Sequence, residues 1–264
     1  MGQTHAKFRN VVRHVVILRP DLADLEATLA EGRVVVDGRI VTNPNALVRS
    51  DASVRILPAR PLRGEDKLRV ALDAFGVTVT GRVALDLGAA AGGFTTVLLE
   101  RGARRVYAVD AGHGQLRGAL RAHSRVVNLE RTNLGALAPE LVPCSVELVT
   151  IDLSYLSVAD AVPQLEHLTF VDDADLISLV KPMFELRLAG LRHDDRTLRK
   201  ALEHAIRGIE RGRWNVQGHI ASPIRGSRGA REWLVHARRR SASDRLTVRH
   251  GNHRHPRRRT HARR

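Results

Sequence analysis

Two lysines and two carboxylates occupy positions in this sequence where their side chains could assist the loss of a proton from a hydroxyl group. They lie before the first helix of a predicted sheet, at the ends of two apolar strands and at the start of its last strand, as Lys67, Asp152, Lys181 and Glu232. A charge at the end of an apolar strand is costly unless it is paired or used. Each residue alone is more often a surface charge, but four at one sheet edge predict a catalytic site. Lys181 would meet the hydroxyl, as a base or as a fixed cation, while the two acids orient it.

The elements that would bring these residues together alternate between short apolar strands and helical patterns, from Leu68 to about Arg238. Strands are predicted at Val83–Leu87, Arg105–Asp110, Val126–Leu129, Leu148–Leu153, Ile177–Val180, Val216–Ile220 and Trp233–Ala237. Helices are predicted at Thr95–Arg101, Gln115–His123, Val158–His167 and Arg196–Arg211. Repeated βα units of this length predict an α/β fold with a mostly parallel, doubly wound sheet. Such sheets bind their ligands at the carboxyl ends of the strands, where the four charged residues are expected.

A glycine-rich turn, from Gly88 to Thr96, joins the first predicted strand to the next helix. Its order G-x-x-x-G-G is not the G-x-G-x-x-G of dinucleotide enzymes, and no G-K-[ST] follows, so a dehydrogenase or an NTPase is disfavoured. Asp110 ends the next strand, 22 positions beyond Gly88, where an acid can accept hydrogen bonds from both ribose hydroxyls of S-adenosylmethionine. The alternative is a glycine turn that only packs a strand against a helix. The candidate cofactor-binding residues are Asp86, Gly88, Ala90, Gly92, Gly93, Phe94, Thr95, Asp110 and Asp152.

The amino-terminal part of the chain predicts a separate small binding unit. A short helix, Leu25 to Glu31, precedes two β-branched runs joined by Asp37-Gly38, which is a strong hairpin signal. A further alternating stretch, Ala52 to Leu57, would complete a small sheet. The predicted organisation is a binding domain over residues 1–60, a linker over 61–66, a catalytic domain over 67–238 and a disordered basic tail over 239–264.

Composition limits the classes of partner and compartment. The chain has 264 residues and a formal net charge of +15, with most of the basic residues being arginine. This charge favours a polyanionic partner such as RNA. The alternative is an arginine-rich composition that has no such role. Cys144 is the only cysteine, which excludes an internal disulfide, and no histidine has metal-ligand spacing, so no metal is expected. Every apolar run is broken well before the ~18 residues that span a bilayer, so a cytoplasmic protein is expected. The candidate RNA-binding residues, each also interpretable as solvated surface, are Arg39, Arg63, Arg225 and Arg228.

Six stretches of the chain resemble the motifs of one family, in the same order. They are Arg63 to Leu68, Asp86 to Thr95, Gly112 to Leu116, Glu130 to Asn133, Asp152 to Ser157 and Leu179 to Glu185. These stretches are similar to the TlyA proteins, often labelled hemolysin, which are ribosomal RNA cytidine 2′-O-methyltransferases with an FtsJ-like catalytic domain. The resemblance implies a seven-stranded, Rossmann-like methyltransferase sheet, S-adenosylmethionine as cofactor, ribosomal RNA as partner, and a K-D-K-E tetrad at the four positions named first.

The family also carries an amino-terminal S4-type RNA-binding module of α+β structure, and Glu31 to Val41 is similar to its second half. The chain departs from the family at Ile17 to Ala23, which lacks the usual basic Ser-Arg pair, and after Lys181, where the loop from Leu186 to Asp194 is short. Three alternatives therefore stay open: a catalytically silent protein that docks on ribosomal RNA, a 2′-O-methyltransferase of another RNA, and a membrane-active hemolysin.

Overall fold

The computed structural model of the protein describes residues 7–22, 24–58, 61–190, 194–226 and 229–240. The amino-terminal residues fold into a small α+β unit in which β2, β3 and β5 form an antiparallel sheet and β1 pairs with β4. Its core includes Val15, Leu29, Val34 and Val48. Its elements are β1 (Phe8–Asn10), α1 (Val11–Leu18), α2 (Leu25–Ala30), β2 (Val34–Val36), β3 (Arg39–Val41), β4 (Leu47–Arg49) and β5 (Val54–Ile56).

The second unit is a seven-stranded sheet in the order β11-β12-β10-β9-β6-β7-β8, flanked by helices. Neighbouring strands from β10 to β8 are parallel, whereas β12 runs antiparallel to both β10 and β11. The predicted mostly parallel α/β fold is therefore confirmed. The strands are β6 (Val83–Leu87), β7 (Arg105–Val109), β8 (Val126–Leu129), β9 (Val146–Ile151), β10 (Phe170–Val180), β11 (Trp214–Ala221) and β12 (Trp233–Arg239). The helices are α3 (Arg63–Phe75), α4 (Gly93–Glu100), α5 (Gly118–Arg121), α6 (Val158–Ala161), α7 (Pro182–Glu185) and α8 (Asp195–Arg211).

The helix α3 begins inside the segment predicted as a linker. Its first turn starts at Arg63, and the Glu65 carboxylate accepts a hydrogen bond from the backbone amide of Leu62, which lies just before the helix. Acidic residues in a first turn also interact favourably with the helix dipole. Lys67 is therefore held on a formed helix. The domain boundaries themselves stay predictions.

Strand β10 is much longer than predicted because acidic residues interrupt its apolar pattern. Asp175 is buried in the strand, and its carboxylate accepts hydrogen bonds from His236 Nε2 and Arg82 Nη1, both at 2.7 Å. Pairing makes the buried acid tolerable, which a local pattern cannot reveal. Because His236 lies on β12, this contact also ties β10 to β12 in the register that positions the site.

Helix α5 is shorter than the predicted Gln115–His123 because the residues before it form a loop. The carboxylate of Glu130 accepts hydrogen bonds from the backbone amides of Gln115, at 2.8 Å, and Leu116, at 3.2 Å. These amides are therefore satisfied outside a helix. At the other end of the chain, β12 continues to Arg239, one residue into the predicted tail, and residues 241–264 of that tail lie outside the described residues.

Candidate functional site

The glycine-rich turn after β6 passes close to the end of β9. Gly88 has φ +85°, and a Cβ atom there would lie 2.5 Å from the carbonyl oxygen of Asp152. Any other residue would be strained twice, by its backbone conformation and by this contact. Gly92 also has a positive φ, and a Cβ atom there would collide with Leu120. Gly88 is therefore needed for the approach to Asp152, whereas Gly92 is favoured by its backbone conformation, with φ +97°.

Asp110 is held in one orientation beside the turn. Its Oδ2 accepts a hydrogen bond from the backbone amide of Ala90 at 2.8 Å, and its Oδ1 accepts one from the amide of Gly112 at 2.7 Å. Each carboxylate oxygen keeps further acceptor capacity, so Asp110 can still receive hydroxyl groups of a ligand.

Two cavities adjoin Gly88, one on the Asp110 side of the turn and one on the Asp152 side. The first is narrow and is lined by the apolar side chains of Val109, Leu134 and Leu153 together with Asp110. The second has a volume of about 130 Å³ and is lined by Leu62, Gly64, Gly88, Ala89, Ala90, Ala91, Gly93, Phe94 and Asp152. An apolar slot next to a fixed acid therefore lies on one side of Gly88, and a glycine-lined cleft lies on the other.

Asp86, predicted to bind the cofactor, instead holds the protein together beneath the turn. Its side chain is fully buried, and its two oxygens accept hydrogen bonds from Thr95 Oγ1 at 2.6 Å and Thr150 Oγ1 at 2.8 Å. Burial, with a smaller contribution from the charge of Asp152, raises the pKa of Asp86 to about 6, against the effect of the two hydroxyls. Asp86 and Thr95 thus tie β6 to α4 and β9, and neither lines the described cavities.

Glu130, which the sequence analysis did not select, fixes the loop next to Asp110. Burial alone would raise the pKa of Glu130, but hydrogen bonds from Asn128 and from the backbone amides of Leu116, Gln115 and Gly114 outweigh it and lower the pKa to about 2. A permanently ionised Glu130 therefore holds the loop that supplies the Gly112 amide to Asp110.

The four charged residues form two ion pairs at the carboxyl edge of the sheet. In the first pair, Lys181 Nζ lies 2.6 Å from Asp152 Oδ1 and donates a hydrogen bond to Ser154 Oγ at 2.8 Å. The side chains of Lys181 and Asp152 are 15% and 24% exposed, so a substrate can reach both. Ser154 belongs to a recognised motif, but its role as an acceptor for Lys181 was missed.

The second pair is buried. Lys67 Nζ lies 2.5 Å from Glu232 Oε2, and the side chains are 7% and 4% exposed. Val180 pairs with Trp233 across β10 and β12, and Lys181 and Glu232 are the next residues of the chain beyond this pair, where β10 ends and β12 begins. The structure thus arranges the four residues as two ion pairs, with each lysine matched to one acid.

Lysine is rare in this chain, which makes its use here informative. Only four of the 43 basic residues are lysines, and two of these are Lys67 and Lys181. An arginine guanidinium is always charged and branched, whereas a lysine ammonium is a compact point charge that can sit close to one carboxylate or one oxygen atom. The two sites thus use the cation suited to tight, single-atom contacts.

Beyond Ser154 lies a larger cavity, of about 430 Å³, between the segments that follow β9 and β10. Phe184 is half-buried at its wall, and its ring centre lies 5.9 Å from Lys181 Nζ. The wall rests on buried Glu185, which accepts hydrogen bonds from the Val158 amide and His204 Nδ1, and burial raises the pKa of Glu185. The lining residues are Tyr155, Leu156, Ser157, Asp160, Met183, Phe184, Arg187 and Leu188.

The predicted RNA-binding arginines lie on different parts of the surface. Arg39 is exposed on β3 and Arg63 is exposed at the start of α3. Arg225 is exposed and lines a cavity beside Glu232, whereas Arg228 lies outside the described residues. Among the residues that the structure describes, no three histidine, cysteine or acidic side chains are grouped as metal ligands would be.

Comparison with known proteins places the chain in a family. Residues 62–239 match the family model of the FtsJ-like methyltransferases. The chain is 41% identical over 217 residues to the 16S/23S rRNA (cytidine-2'-O)-methyltransferase TlyA of Mycobacterium tuberculosis, a match that covers 78% of this chain and 80% of that protein. It is 32% identical to hemolysin A of Brachyspira hyodysenteriae over 78% of this chain and 88% of that one.

A solved structure of a hemolysin-named protein from Streptococcus thermophilus has the same fold, with a TM-score of 0.64, 28% identity and coverage of 89% of both chains. Within the described ranges, each helix is too short or too polar to cross a membrane. From these matches we conclude that this chain belongs to the FtsJ-like methyltransferases of the TlyA family.

Proposed function

We propose that the protein transfers a methyl group from S-adenosylmethionine to the 2′-hydroxyl of a cytidine in ribosomal RNA. The observation that carries the proposal is the pair formed by Lys181 and Asp152, which is accessible to substrate and lies beside the Gly88 turn. The substrate follows from the family, because the M. tuberculosis relative is named for cytidine 2′-O-methylation of both ribosomal RNAs.

Named residues suit each part of the cofactor. When bound, S-adenosylmethionine supplies a methyl group on a positively charged sulfur, which is open to attack by an oxygen nucleophile. Asp110, fixed by the Ala90 and Gly112 amides, would accept its ribose hydroxyls. The cleft between Gly88 and Asp152 would hold its methionine end. Asp152 would thus lie between cofactor and acceptor.

The chemistry asked of the protein is alignment of a poor nucleophile and stabilisation of charge on its oxygen. Asp152 and Ser154 hold the Lys181 ammonium in one place, where it would contact the 2′-hydroxyl and stabilise the negative charge that develops on it. Asp152 supplies a carboxylate for the proton that leaves. Lys67 and Glu232, buried as a pair, would keep the opposite wall of the site rigid and electrically balanced.

The RNA would be held by the basic surface on both sides of this site. Exposed Arg39, Arg63 and Arg225 are proposed contacts for backbone phosphates, and the amino-terminal unit is proposed as the S4-like part of the grip. Phosphate contacts of this kind position the substrate without reading its sequence.

The test is transfer of labelled methyl from S-adenosylmethionine to ribosomal subunits that lack 2′-O-methylation. Lys181→Ala should abolish transfer and retain cofactor binding, because Lys181 acts on the acceptor. Lys200→Ala, which removes an exposed lysine on α8, is the matched control and should transfer at the wild-type rate. Wild-type transfer by Lys181→Ala would refute the assignment. Cofactor binding without transfer to any subunit would point to another RNA acceptor, and no cofactor binding would favour a silent docking protein.

A further inference from the structure

A cavity of about 230 Å³ opens beside the buried Lys67–Glu232 pair, between the β11–β12 connection and the start of α8. Two arginines and a serine are among its lining residues, Arg225, Arg231 and Ser222. Of these three residues, only Arg225 was predicted from the sequence to bind RNA. Arg225 Nη1 also donates a hydrogen bond to the carbonyl of Gly229 at 3.3 Å, and Ser222 Oγ donates one to the carbonyl of Ile224 at 2.8 Å. The remaining lining residues are Leu198, Ala221, Pro223, Glu232 and Trp233.

The cavity lies near Lys181, the residue proposed to contact the acceptor hydroxyl. Lys181 directly follows Val180 and Glu232 directly precedes Trp233, and Val180 and Trp233 are paired at this end of β10 and β12. Glu232 contributes to the cavity wall, and the loop closes on it so tightly that a Cβ atom on Gly226 would collide with its carboxylate. Glu232 in the cavity wall and Lys181 thus each lie one residue beyond the same pair of strand residues.

A ribose whose 2′-hydroxyl reacts always presents a second group close by. The neighbouring 3′ carbon carries the phosphodiester that continues the RNA chain, so one phosphate anion must lie within a few bonds of the acceptor oxygen. Lys67 and Lys181 are each matched to a carboxylate. The cavity next to these lysines is lined by arginines, whose guanidinium groups bind phosphate through paired donors.

We propose that this cavity binds the 3′ phosphate of the methylated nucleotide, with Arg231 and Arg225 as its ligands. The inference rests on the proposed function and assigns Arg231 a role in positioning the acceptor ribose. Arg231 Nη1 also forms an ion pair with Asp195 Oδ1 at 2.7 Å. Asp195 is 76% exposed, so its carboxylate competes with the RNA phosphate for Arg231.

The chain contains a matched control for both partners. Arg101 and Asp73 form an ion pair at 2.8 Å with exposures of 41% and 62%, close to the 43% of Arg231 and 76% of Asp195. Arg101 follows α4 and precedes β7, at the opposite edge of the sheet from the site. Substitution there changes the net charge equally, without touching the cavity.

The experiment compares Arg231→Gln with Arg101→Gln, and Asp195→Asn with Asp73→Asn. It measures binding to a ribosomal RNA fragment at several salt concentrations, methyl transfer to it, and affinity for S-adenosylmethionine. Arg231→Gln should raise the RNA Kd and KM several-fold and reduce the salt slope by about 1, as the loss of one phosphate contact does. Asp195→Asn should lower both constants a few-fold. Neither should change cofactor affinity.

Equal effects of Arg231→Gln and Arg101→Gln on RNA binding would overturn the proposal, as would weaker binding by Asp195→Asn. If the wild-type protein bound RNA without methylating it, the proposed function would be refuted. The RNA Kd of Arg231→Gln compared with that of Arg101→Gln would still decide whether the cavity binds a phosphate. Wild-type protein that binds no RNA would overturn both.

Discussion

Lys67 Nζ lies 2.5 Å from Glu232 Oε2, although 165 positions separate the two residues in sequence. Both side chains are almost completely buried, so each charge depends on the other. Removing one partner of such a pair leaves an uncompensated buried charge, whereas removing both together does not.

Lys67→Met and Glu232→Leu should therefore each lower the free energy of unfolding by roughly 3–5 kcal/mol. The double variant Lys67→Met/Glu232→Leu should lose clearly less than the sum of the singles, and its methyl transfer should stay impaired. Urea unfolding of the four proteins measures the coupling. Additive losses would mean that the pair does not act as a unit.

Gly88→Ala should abolish cofactor binding, because the added Cβ atom would press on the Asp152 carbonyl and widen the turn. Gly81→Ala is the control, since Gly81 has φ +76° but open space around its Cβ position. Both substitutions place alanine in a left-handed conformation, at a cost of about 1–2 kcal/mol. Calorimetric titration with S-adenosylmethionine should separate them. Retained binding in Gly88→Ala would contradict the close-approach argument.

Asp86→Asn should change how stability depends on pH. The folded pKa of Asp86, about 6, lies above its ordinary value of 3.8, so the folded state binds the extra proton in this window and stability falls as pH rises through it. The contribution of Asp86 to stability should fall by about 1 kcal/mol between pH 5 and pH 7.

Asparagine has no charge to lose, so the stability of Asp86→Asn relative to wild type should improve by that amount over the same interval. Unfolding in urea at the two pH values measures this difference. Both proteins carry the same histidines, so the effect of histidine titration on stability cancels in the comparison. A constant difference between the proteins would exclude the elevated pKa.

Glu130→Ala should weaken S-adenosylmethionine binding by about tenfold, or about 1.4 kcal/mol, because the loop that supplies the Gly112 amide to Asp110 would lose its anchor. Glu130→Gln keeps an oxygen acceptor and should lose less. Titration calorimetry with both variants tests the order. Because its pKa of about 2 lies below the ordinary value of 4.5, Glu130 stays ionised and this anchoring should be constant from pH 6 to 8. If both variants bound S-adenosylmethionine with the affinity of the wild type, the loop would need no anchor.

The sequence alone determined the type of sheet, the place of the cofactor turn and the identity of the four charged residues. Parallel strands all end at one edge, so a lysine or an acid directly after an apolar strand, such as Asp152 or Lys181, must be delivered there whatever the details of packing. The glycine at position 88 likewise indicates the positive φ that the turn adopts beside Asp152.

Only the tertiary structure decided how those charges are shared. Lys181 and Glu232 both lie just beyond the Val180–Trp233 pair of β10 and β12, yet Glu232 forms its ion pair with Lys67, and Lys181 forms one with Asp152. Asp86 looked like a cofactor ligand because it adjoins the turn, but its two threonine partners turn it inward. Pairing of this kind depends on contacts between residues far apart in sequence, and local patterns do not carry that information, since they report the burial of a position and not its partner.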